Sequence, residues 1–458
     1  MVDFITTEFF VSLFVSVLAF SSIAYTCSSA DDLAPATGIL LISYGMFTYT
    51  ILPVLGLGAE GMHWFLVPPP TSVSKVTLFA LFCVCASVLW RRYPYVRSVV
   101  TGRKIWPMVA LVLAPLLTTM FGQIALQQEF TTHGILQIKF AFIFSSFCLV
   151  AVSVGTFHRP QRSAKGFCIV TGALLSIATI IAFIEVAYGL APVANFVHGD
   201  VELRASSIFL NPNWFAVAVA PCVFIACKVS QVGKPYASAG LFCLCTVALL
   251  LSGSRSTIVL IAVAMLALAL ALHRCGASAS FARREIARSA VLGVVAGLLT
   301  GFLAAVAVGG QAAAYYTKLL ERVFGWPIYF LSGDPQTWMS VSGRVSSTPG
   351  GASVVDNAYV YWLEENTLAG VWVIILMACV IVLTVRQFMR THSFDDALRL
   401  AVAVFVVCAG MAGQVYWAFP VWPILAVMFG YVLHPVVSEW FGRADRAPAA
   451  ELCGRLMK

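Results

Sequence analysis

Arg204, Arg255, Arg322 and Arg344 are the residues of this chain best suited by type and setting to chemistry. Each stands in a short polar stretch beside long apolar runs: VELRASSIF, LSGSRSTIV, LLERVFGW and VSGRVSS. A guanidinium presents a planar fork of N–H donors that matches two phosphate oxygens at once, and it stays charged at any physiological pH. An arginine facing lipid costs roughly 2.5–3.5 kcal/mol on insertion scales, so an apolar chain that retains four must give them partners. Brought from separate segments into one cavity, four guanidinium groups would hold a phosphate or diphosphate at the membrane surface. For each arginine taken singly, the ordinary alternative is pairing with Asp200, Glu202, Glu321 or Asp334, or reaching out to lipid phosphates.

The elements that carry these residues are apolar almost throughout. The chain has 458 residues, 60% hydrophobic and 10% charged, with a mean hydropathy of +0.91, a balance that excludes an ordinary water-soluble globule. A helix crossing a bilayer needs ~20 mostly apolar residues, because every backbone N–H and C=O must be satisfied without water. Such stretches lie near 8–28, 36–56, 72–90, 105–122, 137–157, 167–189, 212–229, 237–253, 256–273, 288–309, 359–385, 397–413 and 417–435. They predict an all-α, polytopic integral membrane protein of about 12–13 transmembrane helices, a single transmembrane domain over 1–458 with no part for strands. PPP at 68–70, HRPQR at 158–162 and NPN at 211–213 punctuate the joints.

Short cytoplasmic loops retain Lys and Arg. Placing 91–104, 158–165, 228–234, 274–288, 386–399 and the tail from 443 inside collects 21 of the 28 basic residues there. Lys75, Lys139, Arg204, Arg255, Lys318, Arg322 and Arg344 remain on the outer half, so 190–211 and 310–358 become outer loops. Within the second, AAAYYTKLLERVFGW at 312–326 has the spacing of a short amphipathic helix at the membrane surface. SGRVSSTPGGAS at 342–353 reads as mobile backbone, and the two together as a lid. The start MVDFITTEFF carries no Lys or Arg ahead of its apolar run, which predicts no secretory signal peptide and an outer N-terminus. The net charge of +8 is thus a topology signal; no basic stretch is interleaved with stacking aromatics, so nucleic acid is not expected as a partner. Most of the 13 cysteines fall inside spans, and Cys83/Cys85 and Cys243/Cys245, two apart, point in different directions on a helix; neither disulfide nor metal is expected.

The ordered set Arg204-x-SSIF-x-NPN, LSGS-Arg255-S, Arg322-x-x-x-Trp326 and DNAYVYWLEENTLAG at 356–370 resembles the O-antigen ligase/polymerase superfamily over residues 200–385. The resemblance implies a membrane glycosyltransferase at the periplasmic face of the bacterial inner membrane, needing no metal, nucleotide sugar or other cofactor. Its donor would be an undecaprenyl-diphosphate-linked glycan, its acceptor a glycan or lipid A core, with membrane lipids and a chain-length regulator as further partners. By position, diphosphate-binding roles fall on Arg204, Arg255 and Arg322; Arg344 matches no motif position and joins them on charge alone. Ligases of the family and its protein O-glycosylating members carry a His-Asn pair where this chain has Asp356-Asn357, and Tyr359 two residues on is similar to the polymerases. The resemblance therefore implies polymerisation of O-antigen or other surface-polysaccharide repeat units, with ligation to lipid A core or to a protein as the alternative. His198 is the nearest outer histidine to Arg204 by sequence.

Displacing a lipid diphosphate from a sugar C1 builds negative charge on the leaving oxygen, which preorganised arginines stabilise in a water-poor site. A base must then lie within hydrogen-bond reach of the acceptor hydroxyl. Asp356, just ahead of a helix expected from Val360, is assigned that role and Asn357 the orientation of the acceptor; Asp356 equally suits an N-terminal cap. Glu364 and Glu365 follow on the same helix, placed to hold an arginine or to solvate the helix end. Pro212, between Asn211 and Asn213, suits a first helical turn because its missing N–H would have had no partner there, so NPN reads as a helix start that fixes Arg204 against the bundle. Trp214, Trp326, Trp338, Trp362, Trp417 and Trp422 fit an interfacial belt. A transporter of an anionic lipid or solute would line its path with the same arginines; related halves, the usual mark of a permease, are not visible here.

Overall fold

The structure is a computed structural model. It describes residues 160–187, 192–194, 201–203, 205, 207–209, 212–308, 367–412, 421–422 and 424–435, together with Ala114, Leu117, Thr118, Phe144, Ser145, Phe147, Cys148 and Ala151. Helix α1 (Pro160–Ala187) leads to a pair of short strands, β1 (Pro192–Ala194) and β2 (Val201–Leu203), and a 3-10 turn at Ser207–Phe209. Helices α2 (Pro212–Val219), α3 (Pro221–Gln231), α4 (Pro235–Ser252), α5 (Arg255–Arg274) and α6 (Ser280–Val308) follow, then α7 (Thr367–Thr391), α8 (Phe394–Ala409) and α9 (Ile424–Pro435).

Five helical runs among the described residues are long and apolar enough to cross a membrane: Pro212–Gln231, Pro235–Ser252, Arg255–Arg274, Ser280–Leu303 and Gly370–Thr391. The described chain is therefore that of a helical membrane protein. The first run joins α2 to α3. Pro221 has no N–H to donate, so one helix bond is lost and the run changes direction at Ala220 without ending. Every residue from Phe215 to Cys227 is buried, which places this run inside the bundle. The helices around it divide their faces. On α5, Leu260, Ala264, Leu268 and Ala271 are buried while Val259, Val263, Leu266 and Leu270 are exposed, three or four residues apart, as a lipid-facing stripe requires.

Helices α4 and α6 touch most closely, and small residues allow it. A Cβ on Gly297 would lie 2.7 Å from the Cβ of Thr246, and one on Gly293 would meet the Ala239 carbonyl oxygen and the Phe242 Cβ. In a bilayer, where lipid is as apolar as a side chain, such close backbone approach is what drives helices together. These contacts also show that α4 and α6 run in the same direction, since 293 faces 239–243 and 297 faces 243–246.

At the Gln231 end of the buried run, α3, α7, α8 and α9 are tied by polar side chains. Lys228 pairs with Asp395, donates to the Gln231 Oε1 at 2.8 Å and lies 5.7 Å from the Phe394 ring centre. Ser393 caps α8 by accepting the Asp396 N–H at 3.2 Å. Asp396 in turn accepts from the Thr391 hydroxyl at 2.6 Å, the Ser393 hydroxyl at 3.0 Å and Arg399 at 2.6 Å, and Arg399 lies 5.2 Å from the Tyr431 ring centre. Burial works to raise the Asp396 carboxyl, but the hydroxyl and guanidinium donors outweigh it and hold the group below its ordinary range.

The described chain is almost wholly helical, as expected, with one short addition: Pro192, Val193 and Ala194 pair antiparallel with Leu203, Glu202 and Val201. Segments of three residues are too short to show alternation, and the pairing comes from the chain doubling back between them. Two helices also start earlier than their apolar runs, α1 at Pro160 where 167 was expected and α6 at Ser280 where 288 was expected. Hydropathy marks only the apolar part; a helix satisfies its own backbone and continues through Arg283, Arg284 and Arg288 until a breaker stops it.

Candidate functional site

The site is built around the junction between α4 and α5. Gly253 ends α4 in the left-handed conformation, φ 60°, from which its N–H reaches the carbonyls of Leu249 at 3.0 Å and Leu250 at 3.2 Å. Ser254 is extended, and α5 begins at once with Arg255. Ser252, Ser254 and Thr257 are fully buried beneath the turn. The Ser254 N–H donates to the Ser252 hydroxyl at 3.3 Å, and the Ser254 hydroxyl is 3.0 Å from that of Thr257, so these side chains fix the turn to itself.

Arg255 is exposed. It occupies the first position of a helix of 20 residues with no acid in its first turn. The unpaired N–H groups of a helix start carry partial positive charge, so a cation there is opposed by ~0.3–1 kcal/mol. Placed at the same spot, an anion gains from both the guanidinium and the helix end. The residue is therefore in a poor position for stability and a good one for binding an anion.

Arg204 lies outside the described residues, but the chain on either side of it is fastened. Leu203 ends β2 opposite Pro192, and the Ala205 N–H donates to the Leu251 carbonyl at 2.9 Å. Leu251 belongs to the last turn of α4, just ahead of Arg255. The segment that carries Arg204 is thus bonded to the junction that carries Arg255. Ser207 follows with φ 50°, a left-handed conformation that costs a non-glycine residue ~1–3 kcal/mol. Two bonds hold it there. Its N–H donates to Glu185 Oε2 at 2.8 Å, and its hydroxyl to the Ala178 carbonyl at 2.6 Å. A hydrogen bond contributes ~0.5–1.5 kcal/mol net, so the two together work against the strain. Phe209 and Phe215, both fully buried, then stack at 5.9 Å across the turn, and α2 begins at Pro212, as the NPN run leads one to expect.

Helix directions relate the remaining residues to this junction. The run α2–α3 leaves it, and α4 returns to it. Helix α5 leaves again, and α6, parallel to α4, returns and reaches Val308. The turn between α7 and α8 lies beside Lys228, at the far end of the buried run, about 30 Å away at 1.5 Å per residue. Helix α7, with 25 residues, therefore starts at the junction end, at Thr367. Arg322, Arg344, Asp356 and Asn357 lie outside the described residues, in the segment that leaves and re-enters the described bundle at this end. So do the expected amphipathic helix at 312–326 and Glu364 and Glu365.

Glu185 is a member of this site that the sequence reading passed over. It is 6% exposed, near the end of α1. Its signal was present as a lone carboxylate in the apolar stretch IIAFIEVAYGL, where an acid demands a partner. That the partner includes a backbone N–H of the Arg204 segment depends on tertiary structure. Compared with family models, curated proteins and solved structures, the chain has no match.

Proposed function

We propose that this end of the bundle binds the diphosphate of a polyprenyl-linked glycan and that the protein is a membrane glycosyltransferase acting on it. The observation that carries the reading is the hydrogen bond from the Ala205 N–H to the Leu251 carbonyl, which fastens the Arg204 segment to the turn that opens on Arg255. Arg255 at a helix start without acids, with the chain next to Arg204 bonded to the same junction, suits a ligand with at least two negative charges. The motifs around Arg204, Arg255, Arg322 and Asp356, which resemble the O-antigen ligase/polymerase superfamily, add the donor and the reaction class.

In this reading the chain crosses the bacterial inner membrane about 12–13 times. The 310–358 segment faces the periplasm. Arg204, Arg255 and Arg322 hold the diphosphate, with Arg344 joining them on charge. The acceptor hydroxyl gives its proton to Asp356 as its oxygen attacks the sugar C1, and the C1–O bond to the diphosphate breaks with the electron pair leaving on the phosphate oxygen, where the arginines stabilise it. Asn357 orients the acceptor. No metal or other cofactor takes part. Asp356-Asn357 favours a second repeat unit as acceptor, hence polymerisation, over ligation to lipid A core.

The test is reconstitution in lipid with undecaprenyl-diphosphate-linked repeat units. Longer glycan on the carrier supports the polymerase reading, transfer to lipid A core supports ligation, and movement of lipid without a new glycosidic bond defeats both in favour of transport. In the same assay Asp356→Asn keeps a helix cap and removes proton acceptance, so normal elongation by that variant removes Asp356 from the role of base.

A further inference from the structure

The carboxyl of Glu185 lies within this site and is buried away from solvent. A carboxyl buried on an apolar helix demands hydrogen-bond partners. Its Oε2 accepts the N–H of Ser207, which is held in a left-handed conformation, two residues beyond the Ala205 N–H that bonds to Leu251. Ser207 is further anchored on α1 through Ala178, one face of the helix and two turns from Glu185. The strained turn is thus clasped by α1 on one side and by α4 on the other, and the chain between those clasps and β2 is the part that carries Arg204.

We infer that Glu185 is a positioning residue for anion binding: by gripping the Ser207 amide it keeps the 205–209 turn shaped so that the Arg204 segment and the α5 start act on one diphosphate. The inference rests on the diphosphate-binding reading above. Its content is specific to the backbone: what Glu185 supplies to the Ser207 amide is an acceptor oxygen. A glutamine keeps that oxygen. An alanine does not.

The full chain in lipid nanodiscs, with Glu185→Gln and Glu185→Ala, tests it by two measurements: hydrogen exchange of the amides at 205–209, and binding of undecaprenyl diphosphate. Glu185→Ala is expected to speed exchange there and to weaken binding about 10-fold, whereas Glu185→Gln stays within about 3-fold of the parent on both, each factor of ten being the loss of one hydrogen bond's worth of preorganisation. Turnover at saturating donor should change little in either variant, a split between half-saturation and turnover that general unfolding would not produce. Equal weakening by both variants with the 205–209 amides still protected overturns the inference, because charge and not the clasp would then matter. Unchanged binding in Glu185→Ala overturns it as well. Failure of the parent protein to bind undecaprenyl diphosphate, with exchange still responding to Glu185→Ala, shows instead that the diphosphate reading failed while the clasp is real, and the positioning role falls with that reading.

Discussion

Replacing Arg255 separates what the junction does for binding from what it does for folding. The side chain is exposed, and it stands at the positive end of α5 with no acid in the first turn. Removing it should therefore cost the fold nothing and relieve an unfavourable ~0.3–1 kcal/mol. For a diphosphate held as proposed above the sign reverses. A fork contributing two charge-assisted hydrogen bonds, taken at the low end of their range because the site is open to solvent, is worth ~3 kcal/mol, or about 100-fold in Kd. Arg255→Lys keeps the charge and loses the fork, so about 10-fold of that loss should remain. The assay is titration of the detergent-solubilised or nanodisc protein with undecaprenyl diphosphate, beside thermal unfolding followed by intrinsic tryptophan fluorescence. The expected result is graded weakening from Arg to Lys to Ala with a melting temperature equal to or slightly above that of the parent. Parent-like binding by Arg255→Ala refutes the assignment, and so does a fall in binding that merely tracks a fall in melting temperature.

Three predictions concern the scaffold, and neither the substitution at Asp396 nor that at Gly293 is directed at the proposed diphosphate site. Asp396 and Arg399 are 7% and 15% exposed, so Asp396→Asn leaves a buried guanidinium without its counter-charge and should destabilise the protein by ~3–5 kcal/mol in chemical or thermal unfolding. Because the folded Asp396 carboxyl is held below its ordinary value of 3.8, its contribution is complete above that pH and lost as pH falls through the folded value; melting temperature should drop below about pH 4 in the parent and much less in Asp396→Asn. Gly293→Val places atoms against the Ala239 carbonyl and Phe242, so it should cost at least ~1–3 kcal/mol and lower the yield of monodisperse protein, while the same change at Gly240, where a Cβ meets nothing within 4 Å, should be tolerated.

How far such a site can be read from sequence depends on which interactions are local. The α4–α5 junction was legible because the apolar runs 237–253 and 256–273 almost meet there, and the α2 start because Pro212 acts within one turn of itself. The clasp on Ser207 was not: Glu185 lies 22 residues away, and nothing in SSIF marks Ser207 for a left-handed backbone. The β1–β2 pair was missed for the same reason, since Val193 and Glu202 carry no pattern that calls for each other. The early start of α6 escaped because charge was taken to mean loop, although Arg283 and Arg284 sit comfortably on a helix that has left the apolar layer.

One long-range property was nonetheless readable, and it depends only on parity. Each span reverses the side on which the chain emerges, so two segments share a side when an even number of spans separates them. Between Arg204 and Arg255 lie the run α2–α3 and helix α4; between Arg255 and the segment after Val308 lie α5 and α6. The first count is even only because α2 and α3 are one span. At 8 and 11 residues neither is long enough to cross a bilayer alone, since ~20 residues are needed, and with Ala220 between them they make one run of 20 residues that continues through Pro221. Had Pro221 turned the chain back instead of bending it, Arg204 and Arg255 would stand at opposite ends and the Ala205 N–H could not reach Leu251. That bond, at 2.9 Å, ties the parity of the spans to the placement of the arginine-bearing segments.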